Sequence, residues 1–157
     1  MNIDLGKKEV EVLFGEFIEF LKQKNIKLEK IDKYSIPVSI FTKKLSASES
    51  IIKFLREEYK LDYKKIGELL RKKAGPVGVT YRNAKKKFSG KLEVISEHYI
   101  PITVFDSKQT LFESVVKHMH DELDFSFKEI ASELGRNYRT VWTIYKRAKN
   151  RKVKNKK

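Results

Sequence analysis

Phe127–Lys146 reads FKEIASELGRNYRTVWTIYK, and the spacing within this stretch decides the fold. Apolar side chains stand at its first, fourth, eighth, fifteenth and eighteenth places (Phe127, Ile130, Leu134, Val141, Ile144). The fifth place is the small Ala131 and the ninth is Gly135. A small fifth residue lets two helices cross closely, and a glycine at the ninth supplies the positive φ of a sharp interhelical turn. Val141 and Ile144 then pin the following helix onto the preceding one, which leaves its other face in water. The spacing predicts a short helix over Phe127–Leu134, a turn, and a basic helix over Tyr138–Lys149.

Working outward, the same pattern occurs twice. An ungapped shift of 64 residues lays IPVSIF (Ile36–Phe41) on IPITVF (Ile100–Phe105), and VGVTYRNAK (Val77–Lys85) on VWTIYKRAK (Val141–Lys149). Ile36–Phe88 then shares 15 identities in 53 pairs with its counterpart, a register too long for two unrelated amphipathic helices. Each copy predicts three helices. The first opens at Ser46 with Glu49 three residues on, and at Thr110 with Glu113, a reciprocal capping box at matching places. The second covers Tyr63–Leu70 and Phe127–Leu134, the latter capped by Ser126 with Glu129. The third covers Pro76–Phe88 and Tyr138–Lys149, with Pro76 as a first helical residue. Pro37 and Pro101 keep the Ile-Pro blocks extended.

This pattern resembles the helix-turn-helix, whose second helix enters the DNA major groove. Within that superfamily, S-F-K-E-I-A-x-x-L-G followed by x-x-x-R-T-V-x-x-I (Ser126–Ile144) is similar to the promoter-reading C-terminal domain, the fourth conserved region, of bacterial sigma factors. The likeness covers each repeat and not the N-terminal segment, and no other sigma-factor region is recognisable. The doubled arrangement with its Ile-Pro blocks also looks like small archaeal helix-turn-helix proteins. The resemblance implies duplex DNA as partner, with RNA polymerase or another transcription protein as a further candidate. The expected fold is all-α: two tandem three-helix helix-turn-helix units preceded by an N-terminal amphipathic helix.

The third helix of the second copy carries the matching chemistry. Arg136, Arg139, Lys146, Arg147 and Lys149 suit phosphates or guanine edges. Asn137 is placed to cap the helix and aim its N-terminal amides at a phosphate. Tyr138, Thr140 and Thr143 can hydrogen-bond to backbone or bases. Trp142 can meet a thymine methyl or pack on another domain, and both readings stand. Tyr145 recurs as Tyr81, which favours packing. The first copy departs from the pattern: Arg71 replaces the turn glycine, Gly67 replaces the alanine, and Ala74, Gly75, Pro76 and Gly78 stand where readers belong. Arg82, Lys85, Lys86 and Lys87 remain as phosphate ligands, so the first copy is expected to position and the second to specify.

The predicted divisions are residues 1–35 (amphipathic helix and connection), 36–90 (first repeat), 91–99 (linker), 100–150 (second repeat) and 151–157 (basic tail). Val10, Leu13, Phe14, Phe17, Ile18 and Leu21 fall on one face of a helix over Lys7–Lys24, as a core-facing stripe or a dimer seam. Ser89–Tyr99, 11 residues, reaches about 35 Å when extended, enough for one duplex turn of ~34 Å. A monomer spanning successive major grooves is therefore expected, with a dimer through the N-terminal helix as the alternative.

Charge placement agrees with a polyanionic partner. The 157 residues carry 35 Lys+Arg against 21 Asp+Glu, or +14. Arg71–Lys91 holds eight basic residues and no acid, and Gly135–Lys157 holds ten and no acid, so the remainder is 17 basic against 21 acidic. Such patches suit phosphates, whose neutralisation releases condensed counterions; a solubilising surface with a lysine tail is the bland alternative. No cysteine is present, which excludes disulfides and thiolate metal sites. His118 and His120 point about 200° apart on a helix, so no metal and no cofactor are expected. With no P-loop, dinucleotide fingerprint or nucleophile elbow, no enzyme is expected. No signal peptide or membrane span is seen, and the expected location is cytoplasmic, at the nucleoid. An RNA-binding or ribosome-associated protein is the competing class, followed by a DNA-targeting or architectural module of a recombination or chromatin system.

Overall fold

The computed structural model describes residues 6–24 and 33–154. Among these the protein is helical apart from one two-stranded sheet. The helices are α1 (Lys7–Gln23), α2 (Ala47–Glu57), α3 (Tyr63–Leu70), α4 (Ala74–Lys87), α5 (Leu111–Asp121), α6 (Phe127–Glu133) and α7 (Tyr138–Lys154). The strands are β1 (Ser35–Pro37) and β2 (Tyr99–Pro101), each followed by a 3-10 turn (Val38–Ile40 and Ile102–Val104). No helix among the described residues is long and apolar enough to cross a membrane.

Local signals explain where most helices start. Ser46, Thr110 and Ser126 each accept from the backbone N–H three residues on, while Glu49, Glu113 and Glu129 accept from the cap residues in return. Asp62, a cap not singled out from the sequence, does the same for α3 by accepting from Lys65 N at 2.7 Å. Two boundaries differ from expectation by more than one residue. α4 begins at Ala74, which makes Pro76 its third residue, still within the first turn where the missing N–H breaks no helical bond. α7 runs on to Lys154 rather than ending at Lys149, and Arg151, expected in the tail, reaches Glu113 at 3.3 Å and Lys108 O at 3.3 Å.

Both interhelical turns take the left-handed conformation. Gly135 has φ +60, and Arg71, which replaces the glycine in the first repeat, has φ 58. A Cβ costs roughly 1–2 kcal/mol in this region. Gly135→Ala should therefore destabilise by about that amount, the more so because its Cβ would come within 2.7 Å of Lys43 Cγ. Arg71→Gly should stabilise, by up to about 1 kcal/mol after the entropy that glycine adds to the unfolded chain. Urea titrations of both variants check the pair; equal effects of one sign would contradict the turn assignment.

The chain divides into two units, Met1–Lys33 and Tyr34–Lys157. In the first, Val10, Leu13, Phe14 and Phe17 of the apolar stripe are exposed. In the second unit both repeats share one core. Ile36, Ile40, Ile51, Leu55 and Ile66 of the first repeat cluster with Ile100, Val115, Met119, Ile130 and Val141 of the second. β1 pairs antiparallel with β2, Ile36 opposite Ile100, and α2 packs on α5. The expectation of two units on an extendable spacer is thus corrected. Leu92 is buried, Ser39 Oγ donates to Glu93 O at 2.7 Å, and His98 O accepts from Val38 N at 3.0 Å. Two isoleucines at the centre of a two-stranded sheet have nowhere else to hide their apolar surface, so burial fuses the repeats.

Candidate nucleic-acid interface

Two sets of polar contacts, repeated at the 64-residue interval, fix each third helix on its first. In the first repeat the fully buried Lys53 Nζ donates to both Glu57 oxygens (2.7 and 2.8 Å), and Tyr81 Oη donates to Glu57 Oε1 at 3.1 Å. In the second, Lys117 and Tyr145 donate to Asp121. Burial pushes the Asp121 pKa up, but the hydrogen bonds from Lys117 and Tyr145 outweigh it and hold the group below its ordinary value. Lys87 on Glu49 (2.7 Å) and Arg151 on Glu113 (3.3 Å) form the second set. Burial likewise works to raise Glu49, and the hydrogen bond from Lys87 brings its pKa below the ordinary value. His120 belongs to this framework. His120 meets Phe125 O through Nδ1 at 2.8 Å and stacks on Phe127, as Arg56 donates to Leu61 O at 2.8 Å and lies over Tyr63. A carbonyl acceptor requires Nδ1 to carry the proton.

With Val141, Tyr145 and Ala148 buried, the opposite side of α7 is presented to solvent. At 100° per residue, Arg139, Thr143, Lys146 and Asn150 lie within about 50° of the direction facing away from the core, Thr143 being half-buried. Asn150 was missed in the sequence reading, although it continues the row at helical spacing. Asn137 Oδ1 accepts from Arg139 N at 2.8 Å, so the cap is formed as expected. Asn137, Tyr138, Arg139, Thr140, Thr143, Ile144 and Arg147 line an open concavity of about 840 Å³ in which none of the described lining residues is acidic. Trp142 is 43% exposed with Lys146 Nζ 5.3 Å from its ring centroid, and Lys149 lies over Tyr145 at 5.2 Å.

Two sequence-predicted ligands are engaged elsewhere. Arg136 donates to Leu45 O at 2.6 Å and Thr42 O at 3.3 Å, so its guanidinium joins the second repeat's turn to the first repeat. The carbonyls that it satisfies give it a role in the fold that its sequence position did not signal. Lys87 is held by Glu49, so its charge is already matched within the fold. On α4 the outward row equivalent to that of α7 is Gly75, Val79, Arg82 and Lys86. It offers two cations and, unlike Thr143 and Asn150, no neutral hydrogen-bonding side chain. Lys85 is exposed and lies over Tyr81 at 5.9 Å, in a concavity that also includes Glu57 and Glu58. The acid-free run of sequence therefore meets acid in space at this point.

No protein-family model matches the chain, and neither a curated protein nor a solved structure is detectably similar to it.

Proposed function

We propose that the chain is a duplex-DNA-binding protein acting as a transcription regulator, with α7 as the reading helix and α4 contacting mainly phosphates. The observation that carries this reading is the outward row Arg139, Thr143, Lys146 and Asn150 behind a capped helix N-terminus, among lining residues with no acid. An arginine near the start of a groove-entering helix suits guanine O6 and N7, and a threonine and an asparagine suit base edges or phosphates. The cap takes the Arg139 amide, and the other first-turn amides, which have no acceptor within the helix, suit a phosphate. The resemblance of Ser126–Ile144 to the sigma-factor fourth region supports promoter DNA as the target class. No enzymatic role, metal or cofactor is assigned.

The exposed rings of Tyr138 and Trp142 favour a second reading, single-stranded DNA or RNA held by base stacking. Competition among duplex DNA, single-stranded DNA and structured RNA decides between them, with duplex expected to compete best.

Within the first reading the repeats differ in role. Arg139→Ala should cost about 1–3 kcal/mol on the preferred site and much less on random duplex, because it removes a base contact. Lys85→Ala should weaken both modestly and equally, as a phosphate contact does. Fluorescence anisotropy on the two duplexes measures both; an Arg139→Ala loss equal on both would assign that residue to backbone contact only.

A further inference from the structure

The sheet that fuses the repeats also fixes their relative orientation. Ser35 pairs with Pro101, Ile36 with Ile100 and Pro37 with Tyr99. The 64-residue shift makes Ile36 and Ile100 counterparts, and exchanging the repeats turns the Ser35–Pro101 pair into the Tyr99–Pro37 pair. The flanking bonds obey the same exchange: Val38 N donates to His98 O at 3.0 Å, and Ile102 N donates to Tyr34 O at 3.2 Å. An antiparallel pair in which a residue faces its own counterpart has a local two-fold axis through it. The α2–α5 contact and the packing of α3 on the Ile102–Val104 turn bind the repeats further. Arg136, on Thr42 and Leu45 just beyond the other 3-10 turn, adds a tie from the second repeat.

A two-fold rotation keeps the component of any direction along its axis and reverses the components across it. The outward rows of α4 and α7 therefore share their component along that axis, and run in opposite senses across it. Duplex DNA has two-folds of its own, so a pair of helices related this way matches inverted half-sites rather than a direct repeat. Resting on the DNA-binding reading above, we propose that the target is one duplex carrying an imperfect inverted repeat. Its well-defined half lies under α7 and its loosely defined half under α4. The inequality follows from the rows: Arg139, Thr143, Lys146 and Asn150 on one side, Gly75, Val79, Arg82 and Lys86 on the other. One chain thereby does what a homodimer of a single-repeat protein would do, but on an asymmetric version of the palindrome.

The test selects sites from random duplexes with the full chain and maps the tightest by hydroxyl-radical footprinting. Its two halves are then rearranged. Two protected patches related by inversion are expected, with at least a tenfold loss when the α4 half is turned to make a direct repeat at unchanged spacing. Arg139→Ala should blur one half of the selected motif and leave the other as it was. Equal binding of direct and inverted arrangements overturns the proposal, as does a complex in which one chain bridges two duplexes. Failure to bind any duplex overturns the underlying functional reading and is seen before the halves are compared.

Discussion

Glu57→Leu is expected to destabilise the protein by about 3–5 kcal/mol, the range for removing one partner of a buried ion pair. The side chain of Lys53 is 0% exposed, and its ammonium lies 2.7 Å from Glu57, which is itself 22% exposed. Removing the carboxylate strands the charge inside the fold and leaves the Tyr81 hydroxyl without its acceptor. The equivalent change in the second repeat, Asp121→Leu, should cost less, about 1–2 kcal/mol. Lys117 keeps 20% of its side chain in contact with solvent, so its charge stays partly hydrated. The double variant Lys53→Met with Glu57→Leu separates charge from packing. An unbranched apolar side chain fills much of the lysine's space, so most of the stability should return. Urea unfolding of the three variants gives the comparison. A double variant as weak as Glu57→Leu alone would show that lost packing, not a stranded ammonium, accounts for the effect.

That buried lysine shows where sequence reading stopped. Lys53 with Glu57 looks like an ordinary exposed pair at helical spacing. Only its recurrence, Lys53, Glu57 and Tyr81 against Lys117, Asp121 and Tyr145, carried a signal that the three act together. The local features were legible because their causes are local. The capping boxes at Ser46, Thr110 and Ser126, the left-handed Gly135 and the Asn137 cap all lie within a few residues of what they fix. The role of Arg136 in the fold was hidden because an arginine beside a turn reads alike whether it faces phosphate or the carbonyls of Thr42 and Leu45, some ninety positions earlier. The fusion of the repeats was hidden for the same reason. Linker length bounds the reach of a chain but says nothing of its path, and the β1–β2 pairing is a long-range choice driven by burial. The end of α7 was set too early because Lys152–Lys154 give no apolar period, while the contact from Arg151 to Glu113 is tertiary.

The same distinction between cations of the fold and cations of the surface governs the steepest expected response, that of DNA affinity to salt. Arg136, Lys87 and Arg151 already have partners in the fold. Arg82, Lys85, Lys86, Arg139, Lys146, Arg147 and Lys149 are exposed on the two third helices. If about five to seven phosphates are neutralised, log K should fall against log salt with a slope near −4.5 to −6. Between 50 and 200 mM salt that is a loss of roughly 500- to 4,000-fold. Single substitutions sort the two kinds of charge. Arg147→Ala should make the slope shallower by about 0.9 while leaving the urea midpoint unchanged, since it removes one phosphate contact. Arg136→Ala should lower the midpoint and leave the slope where it was, because it breaks the tie to the first repeat and releases no counterion. A wild-type slope shallower than about −2 would count against the two helices as a phosphate-binding surface. A slope change on Arg136→Ala with unaltered stability would return that arginine to the interface and remove it from the fold.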